Sequence, residues 1–238
     1  MLSGSEKYYD EIYNSMGKNY AAEADRIHEL IQKYRQSNRN TLLDVACGTG
    51  THIGLLCDRY DATGVDINSE MLKVARKKHP DLRFLQGDMR TLDLKRQFDV
   101  VTCLFSAIGY MRTRADLQKT VKSMSRHLLP GGVVLVEPWF TPEQWNVGRV
   151  STIYVDKPDI KIVRMSHSSK KGRISLLEFE YLIGTSRRIE HMAEHHEFGL
   201  FTHDEYIHAF KQAGLTVTHH LEGVDGRGLY IGLQVLHR

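Results

Sequence analysis

Between Thr41 and Val136 the hydrophobic period of the chain switches repeatedly, and this alternation restricts the architecture more than any other feature of the sequence. Thr41-Leu42-Leu43-Asp44-Val45-Ala46-Cys47 is a short apolar run ending in Gly48-Thr49-Gly50, a buried strand that enters a tight turn. Residues 51 to 59 read as helix and 61 to 67 as a second strand. Asn68 or Ser69 then caps a helix with the apolar stripe Met71, Leu72 and Ala75, stopped by Pro80. A third strand is predicted over 82 to 86 and a fourth over 98 to 104. Thr113 and Asp116 have capping-box spacing before a helix carrying Leu117, Val121, Met124 and Leu128 on one stripe. Pro130-Gly131-Gly132 is expected to end that helix, with a fifth strand over Val133 to Val136. Such alternation predicts a doubly wound α/β sheet, mostly parallel, with helices on both faces and its ligand beyond the carboxyl ends of the strands.

The pattern changes outside this region. From residue 20 the positions Ala24, Ile27, Leu30, Ile31 and Tyr34 make an amphipathic helix, so residues 1–40 form an N-terminal helical segment. Over 139–200 the period becomes strand-like, with Leu177, Phe179, Tyr181 and Ile183 interleaved with Glu178 and Glu180, which predicts an antiparallel β insertion with one wet face. Residues 41–138 and 201–238 are then one core. Its second half is a Thr202-capped helix ending at Gly214 and a hairpin near 215 to 221 and 229 to 235, for seven strands in all. The insertion stands above the ligand edge, where it serves as a lid.

Composition narrows the class of function. The chain has 238 residues, 41% hydrophobic and 26% charged, which excludes a disordered or low-complexity protein. A formal charge of +3, from 32 basic and 29 acidic residues, is too small to call for nucleic acid as partner. Apolar runs such as Val133 to Val136 are far shorter than the ~20 residues of a membrane-spanning helix. Three cysteines with no CxxC pair suggest neither a disulfide framework nor a zinc knuckle, and a reducing cytoplasm is the expected setting. His191, His195 and His196 have ligand spacing for a helix, but they fall in a predicted strand, where neighbours face opposite ways, so no metal site is expected.

The chemistry concentrates at strand ends. Gly48 and Gly50 let a ligand approach bare backbone, but Ile53 stands where a dinucleotide fingerprint needs its third glycine, and no Gly-Lys-Ser/Thr phosphate loop exists. Asp66 closes the second strand, where a carboxylate accepts hydrogen bonds from ribose hydroxyls. Asp88-Met89 follows the third strand and Leu104-Phe105 the fourth. A ribose, a flat adenine and no phosphate suit these positions, which points to S-adenosylmethionine.

Asp44-x-Ala46-Cys47-Gly48-x-Gly50, then Val65-Asp66-x-Asn68, then Gly87-Asp88-Met89 resemble motifs I to III of class I S-adenosylmethionine-dependent methyltransferases. Tyr9-Asp10-x-x-Tyr13, Ser106-Ala107-Ile108-Gly109-Tyr110, Val136-Glu137-Pro138-Trp139-Phe140, Arg164-Met165-Ser166-His167-Ser168 and Gly226-Arg227-Gly228-Leu229 narrow this further. Nearly the whole chain is similar to the N,N-dimethyltransferases of nucleotide-linked 3-amino-deoxyhexoses, the desosamine and mycaminose type. The resemblance implies a Rossmann-like fold and methylation of a sugar amine on a thymidine-diphosphate carrier.

It also implies roles. Asp44, Ala46, Gly48 and Gly50 would line the methionine end of the cofactor, Asp66 would hold the ribose with Met71 near it, and Asp88 and Met89 the adenine, with Leu104 close by. Tyr9, Tyr13, Trp139 and Arg227 would face the substrate, with Tyr110, His196 and Glu137 at the reacting amine. The family commonly has Gly-Arg-Gly-Lys-Asp-Tyr where this chain has Ser15-Met16-Gly17-Lys18-Asn19-Tyr20, so Lys18 or Tyr20 must replace the arginine lost at Met16. Plainer readings stand beside these: a cap or salt bridge for Glu137, packing for Tyr9, Tyr13 and Trp139, a solvated surface for Arg227. Other acceptors and a noncatalytic cofactor-binding module are the alternative functions, and a homodimer through the insertion would cover its strand edges.

Overall fold

The computed structural model describes residues 4–235. A 3₁₀ turn at Glu6–Tyr8 leads into α1 (Tyr9–Ser15) and α2 (Tyr20–Tyr34), the latter capped by the Asn19 side chain, which accepts from the Ala22 N–H at 3.0 Å. The core follows as β1 (Thr41–Val45), α3 (Thr51–Leu56), β2 (Asp61–Asp66), α4 (Ser69–Lys78), β3 (Arg83–Gln86), β4 (Phe98–Cys103), α5 (Arg114–Arg126) and β5 (Leu128–Val136). Four long strands then make a separate antiparallel sheet in the order β6 (Val150–Asp156), β7 (Ile160–Lys171), β8 (Ile174–Thr185) and β9 (Ile189–Gly199). The core closes with α6 (His203–Gln212), β10 (Thr216–His220) and β11 (Leu229–Leu233).

The main sheet has seven strands in the order β10-β11-β5-β4-β1-β2-β3. Strands β1 to β5 pair in parallel, while β11 runs antiparallel to both β5 and β10, as the hairpin prediction requires. Side chains of opposite parity serve opposite layers: Leu43, Val45, Val101 and Val134 join the core under α5 and α6, whereas Leu42, Val100, Val133 and Leu135 join the one under α2, α3 and α4. Burial on both faces explains why these strands read as continuous apolar runs. The chain order reverses between β1 and β4, the crevice where an open α/β sheet takes its ligand.

Two expectations need correction. Pro130-Gly131-Gly132 does not end a helix, because α5 already stops at Arg126; Leu128, expected on the helix stripe, opens β5 instead, and the three residues lie inside that strand. There the register with β4 jumps from Phe98↔Leu128 to Val100↔Val133, and Gly131, at φ 78°, turns its N–H to the Gln234 carbonyl at 2.8 Å. Proline and glycine within a strand mark such an irregularity. Helix α3 ends at Leu56, short of residue 59: the chain tightens into a turn in which Arg59 N–H bonds the Leu56 carbonyl at 3.0 Å, and Tyr60 is buried in the core.

The N-terminal segment is divided between the two sheets. Helix α2 packs in the main core through Ala24, Ile27, Leu30 and Ile31, but α1 belongs with the second sheet, where Ile12 packs on Val155, Ile162, Tyr181 and Ile183. The inner face of β6–β9 therefore continues past α1 to the carboxyl edge of the main sheet.

Candidate active site

One large cavity, about 1360 Å³, lies between the carboxyl edge of the main sheet and the inner face of β6–β9. Its floor is the turn after β1. Ala46 sits at φ 61° and Gly48 at φ 55°, and a Cβ added to Gly48 would meet nothing within 4 Å, so the backbone is open to a ligand. The Asp66 carboxylate pins this turn, accepting from Gly48 N–H and Asn68 N–H, both at 2.8 Å. Each oxygen keeps a lone pair beyond these bonds. Burial raises the Asp66 carboxyl above its usual range, against the pull of the backbone donors.

Ala46, Gly48, Asp66, Met71, Asp88, Met89 and Leu104 all line this cavity, as do Tyr9, Tyr13, Tyr20, Tyr110, Trp139, His196 and Arg227. Asp88 is already held by Arg90, with Nε 3.0 Å from both carboxylate oxygens. Tyr20 is 7% exposed and its hydroxyl has no hydrogen-bond partner among the described residues, whereas Lys18 donates to Glu23 at 2.6 Å. A buried donor without a partner in the same cavity as the Gly48 turn suits the carboxylate of the cofactor, so the cradle fits S-adenosylmethionine even without an arginine at Met16.

Three expected site residues lie behind the wall rather than on it. Gly50, at φ 77°, is the N-cap of α3, and a Cβ there would press on Phe84 at 3.2 Å. Asp44 accepts from the Thr102 hydroxyl at 2.7 Å in a closed interior, where burial pushes its carboxyl up to about 6. A carboxyl raised in this way destabilises the fold once it must ionise, so its cost is absent below about pH 4, grows as pH rises to about 6, and is constant above. Asp44→Asn is expected to raise stability at pH 8 by about 2 kcal/mol and by less at pH 5. Denaturant melts at the two pH values check this, and a gain independent of pH would contradict it.

Glu137 is the third. It is fully buried and accepts from Phe105 N–H at 2.7 Å, with Arg227 Nε 3.6 Å away. Phe105 and Ser106 both have left-handed backbones (φ 53° and 56°), and Ser106 donates to the Pro138 carbonyl at 2.6 Å. Glu137 thus holds the strained turn after β4 and does not line the cavity. Arg227 is in turn neutralised by Asp225, with Nε 2.9 Å from a carboxylate oxygen, and NH1 donates to Ser106 Oγ at 3.1 Å. Its fork lines the cavity without a charge to spare.

The strained turn presents Phe105, to which the sequence alone assigns no role. Tyr13 meets its ring edge-on at 4.8 Å and Tyr9 at 6.3 Å, and the Lys18 ammonium lies 4.3 Å from its centroid. Trp139 stacks on Phe198 at 4.5 Å and donates its indole N–H to Ser175 at 2.9 Å. Opposite, Tyr110 Oη is 2.9 Å from His196 Nδ1, and His196 Nε2 is 3.3 Å from Glu194, which also accepts from Tyr181 at 2.9 Å and from Ser5. Glu194 is a site residue that sequence reasoning missed, although strand alternation places it on the same face as His196, two residues on. His195 points outward by the same rule, and among the described residues no three His, Cys, Asp or Glu side chains cluster to hold a metal ion.

Comparison with known proteins agrees with this geometry. A family model described as "Methyltransferase domain" matches residues 42–132. The dTDP-3-amino-3,6-dideoxy-alpha-D-glucopyranose N,N-dimethyltransferase of Streptomyces fradiae is 40% identical over 227 residues, covering 94% of this chain and 89% of its own. The chain belongs to the sugar N,N-dimethyltransferase family of class I S-adenosylmethionine-dependent methyltransferases. The crystal structure of DesVI from Streptomyces venezuelae superimposes on this methyltransferase with a TM-score of 0.93 at 38% identity, covering 100% of both chains. An amino pentose methyltransferase from Micromonospora echinaspora, solved with S-adenosylmethionine bound, gives a TM-score of 0.87 at 35% identity over 95% of this chain and 96% of its own.

Proposed function

We propose that this methyltransferase dimethylates the amine of a thymidine-diphosphate-linked 3-amino-deoxyhexose. The observation that carries the proposal is the single cavity in which the cofactor cradle and the Tyr110–His196–Glu194 chain face one another, in a chain 40% identical to an enzyme named for that reaction. When bound, S-adenosylmethionine supplies an electrophilic methyl group for displacement by a neutral amine. The protein's part is to hold that amine in line and keep out water, which is worth about 7–11 kcal/mol for a well-positioned pair.

Asp66 would grip the ribose, and Tyr20 the carboxylate end. The proton released after transfer has a defined route. Burial would raise the Glu194 carboxyl, but the hydrogen bonds from His196, Ser5 and Tyr181 outweigh it and hold the group below its usual range, so it is ionised. An ionised Glu194 keeps the proton of His196 on Nε2, which leaves Nδ1 to accept from Tyr110 and frees a Tyr110 lone pair to accept from the product ammonium. Although the Tyr110 side chain is 43% exposed, loss of water around its hydroxyl, together with Tyr13 and Glu194, raises the phenol above its normal range, so it relays a proton instead of acting as a phenolate base. Tyr110→Phe and His196→Ala are each expected to lower kcat by about 10-fold, below the ~10²–10⁴ that an obligatory base contributes. A loss of several orders of magnitude with unchanged binding would make His196 an obligatory base.

The reaction is tested by incubation with S-adenosylmethionine and dTDP-3-amino-3,6-dideoxyglucose, reading one and then two added methyl groups by mass spectrometry. No product, from protein that binds S-adenosylhomocysteine, would overturn the substrate. We place the enzyme in the cytoplasm on its three free cysteines, and among the described residues no helix is long and apolar enough to cross a membrane. A homodimer through β6–β9 is part of the same reading. The outer face of that sheet exposes Val150, Tyr154, Met165 and Leu182, and sedimentation equilibrium giving a monomer would refute it.

A further inference from the structure

Helix α1 has seven residues, too few to hold a helix by their own hydrogen bonds, so its place is set by what it touches. Most of those contacts belong to the lid. Ile12 lies in the core of the second sheet, and Glu11 pairs with Lys157 in the turn between β6 and β7. Tyr9 and Tyr13, four residues apart and 4.7 Å between ring centroids, share the face that meets Phe105 and lines the cavity.

Asp10 points the other way. Its Oδ1 accepts from Thr49 Oγ1 at 2.6 Å and from Thr51 Oγ1 at 3.0 Å, and its Oδ2 accepts from Lys78 Nζ at 2.6 Å. Lys78, the last residue of α4, also donates to Thr51 Oγ1 at 2.8 Å, which closes the cluster. Thr49 is 2% exposed and stands between Gly48 and Gly50, so the bond reaches the middle of the turn that floors the cofactor cradle. Among the described residues Asp10 is the one side chain of α1 that hydrogen-bonds the main-sheet core, yet it does not itself line the cavity.

We infer that Asp10 is a positioning residue that couples the cofactor cradle to the acceptor wall. A ligand that orders Gly48-Thr49-Gly50 also orders Tyr9 and Tyr13 through these charge-assisted bonds. By linkage, an acceptor held against the two tyrosines tightens the cradle by the same factor. The acceptor half of this inference rests on the sugar nucleotide proposed above, whereas the tie between cradle and helix is independent of which amine is methylated.

Hydrogen exchange read by mass spectrometry tests the tie without an acceptor. S-adenosylhomocysteine is expected to slow exchange about 10-fold both in α1 and in residues 46–51 of the wild type, but in residues 46–51 alone of Asp10→Ala. Asp10→Asn keeps Oδ1 as an acceptor for the two threonines and should restore protection of α1. Calorimetry measures the coupling itself. S-adenosylhomocysteine is expected to tighten dTDP-3-amino-3,6-dideoxyglucose about 10-fold in the wild type and less than about 2-fold in Asp10→Ala, whose affinity for the sugar nucleotide alone is unchanged. Thr51→Val, which removes one of the bonds, should lower the coupling to about 3-fold and keeps the test decisive should Asp10→Ala fail to fold. Protection of α1 that survives in Asp10→Ala, or coupling of wild-type size in the folded variants, would overturn the inference, since a residue that only adds stability would leave both unchanged. A wild-type protein that protects α1 but binds no sugar nucleotide would remove that substrate while supporting the tie.

Discussion

Asp66→Ala is expected to leave a folded protein whose affinity for S-adenosylhomocysteine is about 10³-fold lower, and with it to abolish turnover. Two effects combine. The carboxylate would accept from the ribose, and each hydrogen bond to a charged group is worth about 1.5–3 kcal/mol. It also pins Gly48 N–H and Asn68 N–H at 2.8 Å, so its removal loosens both the floor of the cradle and the cap of α4. Asp66→Asn keeps one acceptor and should lie between alanine and wild type. Because burial raises this carboxyl, cofactor affinity should fall in acid as Asp66 takes up a proton. Calorimetric titration of both variants across pH decides the matter, and wild-type affinity in Asp66→Ala would rule out the ribose contact.

The second large effect concerns a residue away from the reacting atoms. Glu137→Ala should lower stability by about 1–3 kcal/mol, because it leaves the Phe105 N–H without its acceptor and removes the second carboxylate beside the half-buried Arg227 guanidinium, which keeps Asp225. At about 2–4 °C per kcal/mol for a chain of this size, the melting temperature would fall by roughly 5 °C. Glu137→Gln retains an acceptor for Phe105 and loses only the charge, so it should cost less. The pairing can be isolated by a double-mutant cycle with Arg227→Met, in which the second substitution restores part of what the first removes. An unchanged melt for Glu137→Ala would contradict the structural role. Activity should fall too, since Phe105 and Ser106 would relax from their left-handed backbones and the aromatic wall facing Tyr9 and Tyr13 would open.

Particular residues mark how far the sequence could be read. The apolar runs of β1, β4 and β5, the Asn68 and Thr202 caps, and Asp66 at the end of β2 are all local or periodic signals, and the structure realises them where they were expected. The Pro130-Gly131-Gly132 segment misled because a helix stop and a strand irregularity use the same residues. Glu137 was legible as a strand-end carboxylate, but not its direction: Arg227 lies 90 positions further along the chain, and nothing local announces their meeting.

Arg227 and Arg164 show where such reading stops. One follows a glycine in a hairpin and the other sits mid-strand, and from composition either could have met an anion. Packing gave Arg227 to Asp225 and Glu137 and set Arg164 against the rings of Tyr13 and Phe179. Periodicity, capping and turn chemistry act over a few residues, so the succession of strands and helices, the glycine-lined cradle and the cofactor class could be read from the linear chain. The charge state and aim of each polar side chain depend on partners delivered by distant segments and on the loss of water around them, so only the assembled fold settled which carboxylates brace the wall and which arginine pairs with them.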